Sequence, residues 1–419
     1  MEGRFRFTGL KDQPQRYYSA ADIYALTSRE DPFPSVVMEA LDAGLPIVGF
    51  RGCTGTEGII RRAGTLVDPL DTNAFALAIM DLLGDDDRRA SKARSGRALV
   101  ERELSFRHYL FDLLGFAGKA LPRVSVIVPN YNYACYLRAR LESIAAQTLP
   151  VFELIILDDD STDESVQIIQ DFLAETNIPS QLIVNDRNSG SVFRQWLRGV
   201  ELARGDLVWI AEADDLADPN FLASVTPAFE KLGTVMSYSQ SRQMDDDGAI
   251  LCQNYLDYVA DIDAEKWKSA YHVEGVEEIS RALFVKNTIP NVSGVVFRRE
   301  QLLKTLEENR EEIVSFRNAG DWVTYLRLLE KGSIAFCPLS LNSHRRHQRS
   351  VTVGNFNLAQ LQEIVRVQED TVRRFDLGKT AGMRAAEYAQ KLYEQFGLAD
   401  ERYKLYSTHP DFLCPSPEK

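Results

Sequence analysis

Long apolar runs are missing from this sequence. No window reaches about 18 uninterrupted apolar residues, and the N-terminus, MEGRFRFTGL, has no apolar core preceded by positive charge. Neither a membrane span nor a secretory leader is therefore expected. Cysteine is scarce as well: Cys53, Cys135, Cys252, Cys337 and Cys414 lie scattered without paired or metal-ligand spacing. An odd count of unpaired thiols argues against both zinc and a disulfide framework, and fits a reducing compartment. Positive charge is short too, with 48 Lys and Arg against 61 Asp and Glu and a net charge of −13. A nucleic-acid partner, which would be gripped by phosphate-neutralising cations, is not expected, and any anionic ligand has to be held locally. The expectation is a cytoplasmic protein, with peripheral contact at the inner face of the membrane left open.

What is present is a soluble globular composition, 45% hydrophobic and 26% charged, spread over 419 residues. That length exceeds what one core usually organises, so two domains and a tail are expected. Residues 1–118 alternate β-rich runs (RFRFTG, DIYALTS, PIVGF, GTLVD) with helical patterns near 34–44, 72–84 and 87–117. Such alternation predicts βαβ units on a parallel sheet. Only about four strands are available and no Gly-rich first turn occurs, so this block reads as half of a nucleotide-binding domain. A second α/β block, 119–355, opens after Leu121-Pro122 with the apolar run VSVIVPN. Strands are expected again at FELIILDDD, SQLIVND, DLVWIAEADD and VMSYSQS, with helices at 134–147, 163–175, 191–203 and 220–232. Residues 356–419 read as an amphipathic helical extension with a loose end.

Three polar or acidic clusters sit directly after strands: Pro129-Asn130-Tyr131-Asn132, Asp158-Asp159-Asp160-Ser161 and Glu212-Ala213-Asp214-Asp215. In open sheets of this type ligands gather at the C-terminal strand ends. Crowding like charges there costs Coulomb energy, which a cation or a donor-rich ligand relieves. Helix capping by Asp160, Ser161 and Asp163 is the other reading of the second cluster. In the third, an X-Ala-X spacing on an extended chain would aim the first and third carboxylates the same way, as a hard ion bridging a diphosphate requires.

The ordered motifs VSVIVPNYN, ILDDDSTDES, NDRNSGSVFRQWLRGVELARGD and IAEADD resemble the family-2 glycosyltransferases of bacterial polysaccharide synthesis, and the resemblance runs over about 123–353 to include NTIPNVSGVVFRR, AGDW and LNSHRRHQRSVT. It implies a Rossmann-like GT-A fold and metal-dependent transfer of a sugar, with inversion, from a nucleoside diphosphate sugar to a glycan or lipid-linked acceptor. It also implies that Pro129, Asn130, Asp158 and Asp159 lie at the nucleotide base and ribose, with Asn188 and Gly190 lining the same pocket. The family's Asp-x-Asp appears as Glu212-Ala213-Asp214, leaving Asp214 as the expected ligand of Mn2+ or Mg2+ and Asp215 as a contact nearby. Asp321 of Gly320-Asp321-Trp322 matches the motif that carries the base taking the acceptor proton, although a carboxylate there can also cap the helix TYLRLLEK. His344 and His347, flanking Arg345 and Arg346, match a closing motif in which basic residues meet the diphosphate.

The stretch SREDPFPSVVMEALDAGLPIV resembles the C-terminal half of family-4 glycosyltransferases of the GT-B fold, where Asp31 and Glu39 would flank the donor. The first strands of that half and its diphosphate-gripping basic residues have no counterpart here, so the front block is expected not to be an independent catalyst. Two other readings remain. A nucleotidyltransferase would want a Gly-rich basic loop after the first strand, which PNYNYACYLRARL does not offer. A non-catalytic interaction module keeping the fold would have no need of Asp214, Asp321 and the HRRH run together.

Overall fold

A computed structural model describes residues 6–9, 11–104, 106–346 and 356–398. The chain divides into two compact units, Met1–Ala120 and Leu121–Lys419.

The first unit holds a parallel sheet of β1 (Tyr24–Leu26), β2 (Ile47–Phe50) and β3 (Gly64–Val67), in the order β1-β2-β3. β2 is central and buried along its whole length, and Leu26, Ile47 and Ile60 pack with Val37 and Leu41 of the helix Val36–Asp42. The strand expected at RFRFTG does not form over Arg6–Gly9, which are mostly exposed and without regular structure; the rest of it lies outside the described residues. The helix expected over 87–117 is two helices, Asp86–Glu103 and Phe106–Phe116. Leu104 ends the first by turning its amide back to the Leu99 carbonyl. Helical periodicity does not fix helix boundaries to the residue, so a break of this kind is not seen in the sequence pattern.

The second unit is built on a ten-stranded mixed sheet. Its strands are β4 (Val124–Asn130), β5 (Glu153–Asp158), β6 (Ser180–Val184), β7 (Leu207–Ile210), β8 (Leu216–Ala217), β9 (Thr234–Met244), β10 (Ile250–Cys252), β11 (Tyr271–Glu274), β12 (Val295–Arg298) and β13 (Ser333–Arg345). The order is β11-β13-β9-β12-β7-β4-β5-β6, with β10 on β9 and β8 on β13. β4 to β7 pair in parallel, and β12 enters antiparallel between β7 and β9. Both faces of the parallel part are covered. Val126 and Val128 pack with Leu137 and Leu141 of the helix Ala134–Ala145, while Ile127, between them, packs with Phe193 and Trp196 of the helix Val192–Leu202. This double burial is why VSVIVPN has no polar alternation.

After β13 the chain forms the helices Leu358–Arg374 and Gly378–Gln395, which bury Leu361, Val365, Ala389 and Tyr393 between them. Asn357 and Gln360 close the start of the first in a reciprocal capping box. Among the described residues no helix is long and apolar enough to cross a membrane.

Candidate active site

β4, β5 and β7 end side by side, so the three clusters that follow them meet at one edge of the sheet. Asn130, 3% exposed, donates through Nδ2 to Asp158 Oδ2 at 2.7 Å and to Ser161 Oγ at 3.2 Å. Asp158 is fully buried, and its Oδ1 takes the Ser161 amide at 2.9 Å. Asn132, at φ +58°, accepts the Thr162 amide through Oδ1. The first two clusters thus stitch the β4 and β5 loops together, and Pro129 lies buried within β4.

Asp159 organises a third loop. Its carboxylate accepts from Asn185 Nδ2 at 2.6 Å, Ser189 N at 2.9 Å, Ser189 Oγ at 2.7 Å and Gln195 Nε2 at 2.8 Å. Asn188 Nδ2 reaches the Asp159 carbonyl, and Asn188 Oδ1 takes the amide of Gly190, whose φ of +73° suits a residue without Cβ. Loop 185–191 is therefore shaped around one saturated carboxylate.

In the third cluster, alternation along a strand is not what arranges the carboxylates. β7 ends at Ile210 and the chain turns, closing on the Asp215 amide to the Glu212 carbonyl at 3.3 Å. Glu212 Oε1 accepts from Trp196 Nε1 at 3.1 Å, and its own amide donates to Ser293 Oγ. Asp215, 2% exposed, accepts from Asn291 Nδ2 and from the Arg345 amide, both at 2.8 Å. Burial and then the neighbouring Asp214 push the Glu212 carboxyl up to about 8, and the same two causes raise Asp215. Beneath the cluster Arg140 is fully buried over the Trp209 ring, 4.8 Å from its centroid, and none of its side-chain nitrogens has a hydrogen-bond partner among the described residues. It faces the field of Asp215, Asp214 and Glu212, which opposes the effect of its burial.

Asp321 sits in the first turn of the helix Gly320–Leu329. Oδ2 accepts from Asn287 Nδ2 at 3.0 Å and Oδ1 from the Trp322 amide at 2.7 Å. Burial raises its carboxyl to about 6 in spite of those hydrogen bonds. The Trp322 ring is directed into the core, with Nε1 on the Leu283 carbonyl. Burial and then the charges of Asp321 and Glu212 hold the Tyr325 hydroxyl well above its ordinary range.

One helix, Val192–Leu202, joins the parts. Gln195 holds Asp159 and Trp196 holds Glu212, while Phe193 packs so tightly on Gly320 that a Cβ there would lie 2.4 Å from the ring. At the end of β13, Tyr255 Oη and His344 Nδ1 are 2.6 Å apart. Arg345 spans from the Asp214 carbonyl to the carbonyls of Asp245 and Asp246 and lies over the Tyr136 ring. His347 is outside the described residues. In the first unit, Glu39 accepts from Tyr18 Oη at 3.3 Å and Asp31 bridges Thr54 through backbone.

Trp196, Asn287, Asn291, Ser293 and Arg140 were not singled out from sequence. NTIPNVSG carried the signal for three of them, as polar residues in an otherwise buried stretch. Arg140 had only its place on the apolar face of an amphipathic helix.

Residues 125–291 match the family described as "Glycosyl transferase family 2", and residues 1–85 match "Glycosyl transferases group 1". Glycosyltransferase GlyG of Streptococcus pneumoniae serotype 4 is 25% identical over 253 residues, 58% of this chain and 77% of its own. The chondroitin synthase of Escherichia coli is 27% identical over 172 residues, 41% of this chain and 25% of its own. A PGL/p-HBAD biosynthesis glycosyltransferase of Mycobacterium tuberculosis is 38% identical over 107 residues, 25% of this chain and 41% of its own. The chain thus spans most of the first relative and well under half of the other two. Among solved structures, S. aureus TarS 1–349 in complex with UDP-GlcNAc superposes with a TM-score of 0.52 at 17% identity, over 70% of this chain and 82% of that one, a likeness of fold.

Proposed function

From the premise that the second unit carries a family-2 glycosyltransferase domain, we propose that it transfers a sugar, with inversion, from a nucleoside diphosphate sugar to a hydroxyl of a glycan or lipid-linked acceptor. The observation that carries this reading is Asp321. A half-buried carboxyl raised to about 6 is largely ionised at neutral pH yet basic enough to take a proton from an attacking hydroxyl. Asn287 and the Trp322 amide fix both of its oxygens, so the proton is accepted at a defined place.

The nucleotide would lie against Pro129, Asn130, Asp158 and Asp159 and the loop carrying Asn188 and Gly190, with Asp215 and His347 towards the sugar and diphosphate. The third cluster suits a divalent cation. Three neighbouring carboxyls, two of them raised by burial and then by the charge of Asp214, are what a bound cation would relieve. Among the described residues no three His, Cys, Asp or Glu side chains are grouped so as to hold a metal ion; Mg2+ and Mn2+ can be held by one or two carboxylates together with phosphate oxygens and water. Asp214 would hold it, and when bound it would neutralise charge on the departing diphosphate. UDP-GlcNAc, the ligand named for the TarS structure, is a reasonable first donor to test.

The test is a thermal-shift panel of uridine, guanosine and thymidine diphosphate sugars with and without Mn2+, followed by detection of released nucleoside diphosphate. Metal-dependent stabilisation and turnover are expected with at least one donor. Stabilisation without any turnover, in the presence of saccharide acceptors, would favour the interaction-module reading.

A further inference from the structure

The helix Gly320–Leu329 starts from Ala319, whose side chain offers no cap, and within its first turn Asp321 takes the Trp322 amide, not that of Ala319. Unpaired amides at a helix start need an acceptor, and a carboxylate is favoured there by the helix dipole. The acceptor comes from the C-terminal extension. Glu363, on the helix Leu358–Arg374, takes the Arg317 amide on Oε1 at 2.8 Å and the Asn318 and Ala319 amides on Oε2 at 2.8 and 3.0 Å. One carboxylate therefore holds the three residues that lead into Gly320-Asp321.

That helix is itself anchored. Arg327 reaches both Glu312 and Asp370, Arg366 lies 4.3 Å from the centroid of the Phe316 ring, and Val367 shares an apolar layer with Trp322, Val323 and Leu326. On the other side the turn is pinched by Phe193 against Gly320. Glu363 and the residues 317–319 that it holds lie beyond residue 291, outside the matched family segment.

We propose that Glu363 is a positioning residue for the transfer reaction, and that the helical extension is thereby a working part of the active site: its carboxylate fixes the turn that sets the place of Asp321. This rests on Asp321 being the base. A base displaced by about 1 Å can cost on the order of 10²-fold in rate, so loosening this turn should act on turnover while the nucleotide-binding loops, held by Asp158 and Asp159, stay as they are.

The experiment compares Glu363→Gln, Glu363→Ala and Asp321→Asn in the full chain, using the nucleotide sugar that the wild type turns over fastest in the panel above. Expected for both Glu363 variants are a kcat lower by about 10- to 100-fold, a donor KM within about threefold of wild type, and faster amide exchange in peptides covering 317–320. Glu363→Gln preserves the side chain's volume, so the comparison stands even where Glu363→Ala does not fold. A folded Glu363→Gln with wild-type kcat, or with unchanged exchange at 317–320, overturns the proposal. So does a rise in donor KM that accounts for the whole loss. Wild-type turnover in Asp321→Asn would instead remove the base assignment on which it rests.

Discussion

Replacing Asp321 by Asn separates chemistry from folding, because the two should move in opposite directions. The folded-state carboxyl is raised from 3.8 to about 6. Its stabilising contribution is therefore fully present below the unfolded value and is lost as pH rises through about 6, so the ionised form is a cost at neutral pH. A rise of about two units corresponds to about 3 kcal/mol, an upper bound because the group is not wholly shielded from water. Asparagine resembles the protonated acid: its oxygen can keep the Trp322 amide, while its NH2 meets Asn287 Nδ2, whose own Oδ1 already holds the Ile289 amide. That lost hydrogen bond offsets about 1–2 kcal/mol of the gain. The variant should thus be as stable as wild type, or more so, at pH 8 and lose that advantage at pH 4. Removing a general base costs on the order of 10² to 10⁴ in rate, or about 3–5 kcal/mol of transition-state stabilisation. Steady-state kinetics and denaturant unfolding at both pH values decide the matter. Wild-type kcat should fall on the acid side of about pH 6, and Asp321→Asn should be low throughout with donor affinity nearly unchanged. A variant whose activity loss tracked a loss of stability would be a failed helix cap, and the base would have to be sought at Glu212 or Asp215.

Asp214→Ala should abolish both donor binding and turnover, as titration calorimetry with Mn2+ would show, and near-normal activity of that variant in chelator would end the metal assignment. Gly320→Ala places a Cβ 2.4 Å from the Phe193 ring, so urea unfolding should report about 1–3 kcal/mol of destabilisation from overpacking, and an unchanged midpoint would mean that the ring moves aside freely. Residues 1–118 expressed alone should not bind a nucleoside diphosphate sugar, since the described residues there form a sheet of three strands with an edge left to be covered; micromolar binding by a soluble monomer would make Glu39 a real contact.

The strands β4, β5 and β7 and the clusters that follow them were legible because both signals are local. Short continuous runs of β-branched apolar residues suit strands covered on both faces, and polar residues directly after them then lie at the strand ends. The mixed right half of the sheet was less legible, since β12 and β13 are placed by pairing with strands far away in sequence. Two local readings also gave way to geometry: the single helix expected over 87–117 is two helices, Asp86–Glu103 and Phe106–Phe116, and Glu212 and Asp214 are related by a turn where strand alternation was expected. Which residues carry the clusters was therefore a property of the sequence. What holds each carboxylate was not: Asp321 finds Asn287 at a separation of 34 residues, Ala319 finds Glu363 at 44, Asp215 finds Asn291 at 76 and the Arg345 amide at 130. Such partners are selected by chain closure and the burial that follows it, and burial is also what raises the Asp321 and Asp215 carboxyls, so their chemistry exists only once the sheet and the C-terminal helices have packed.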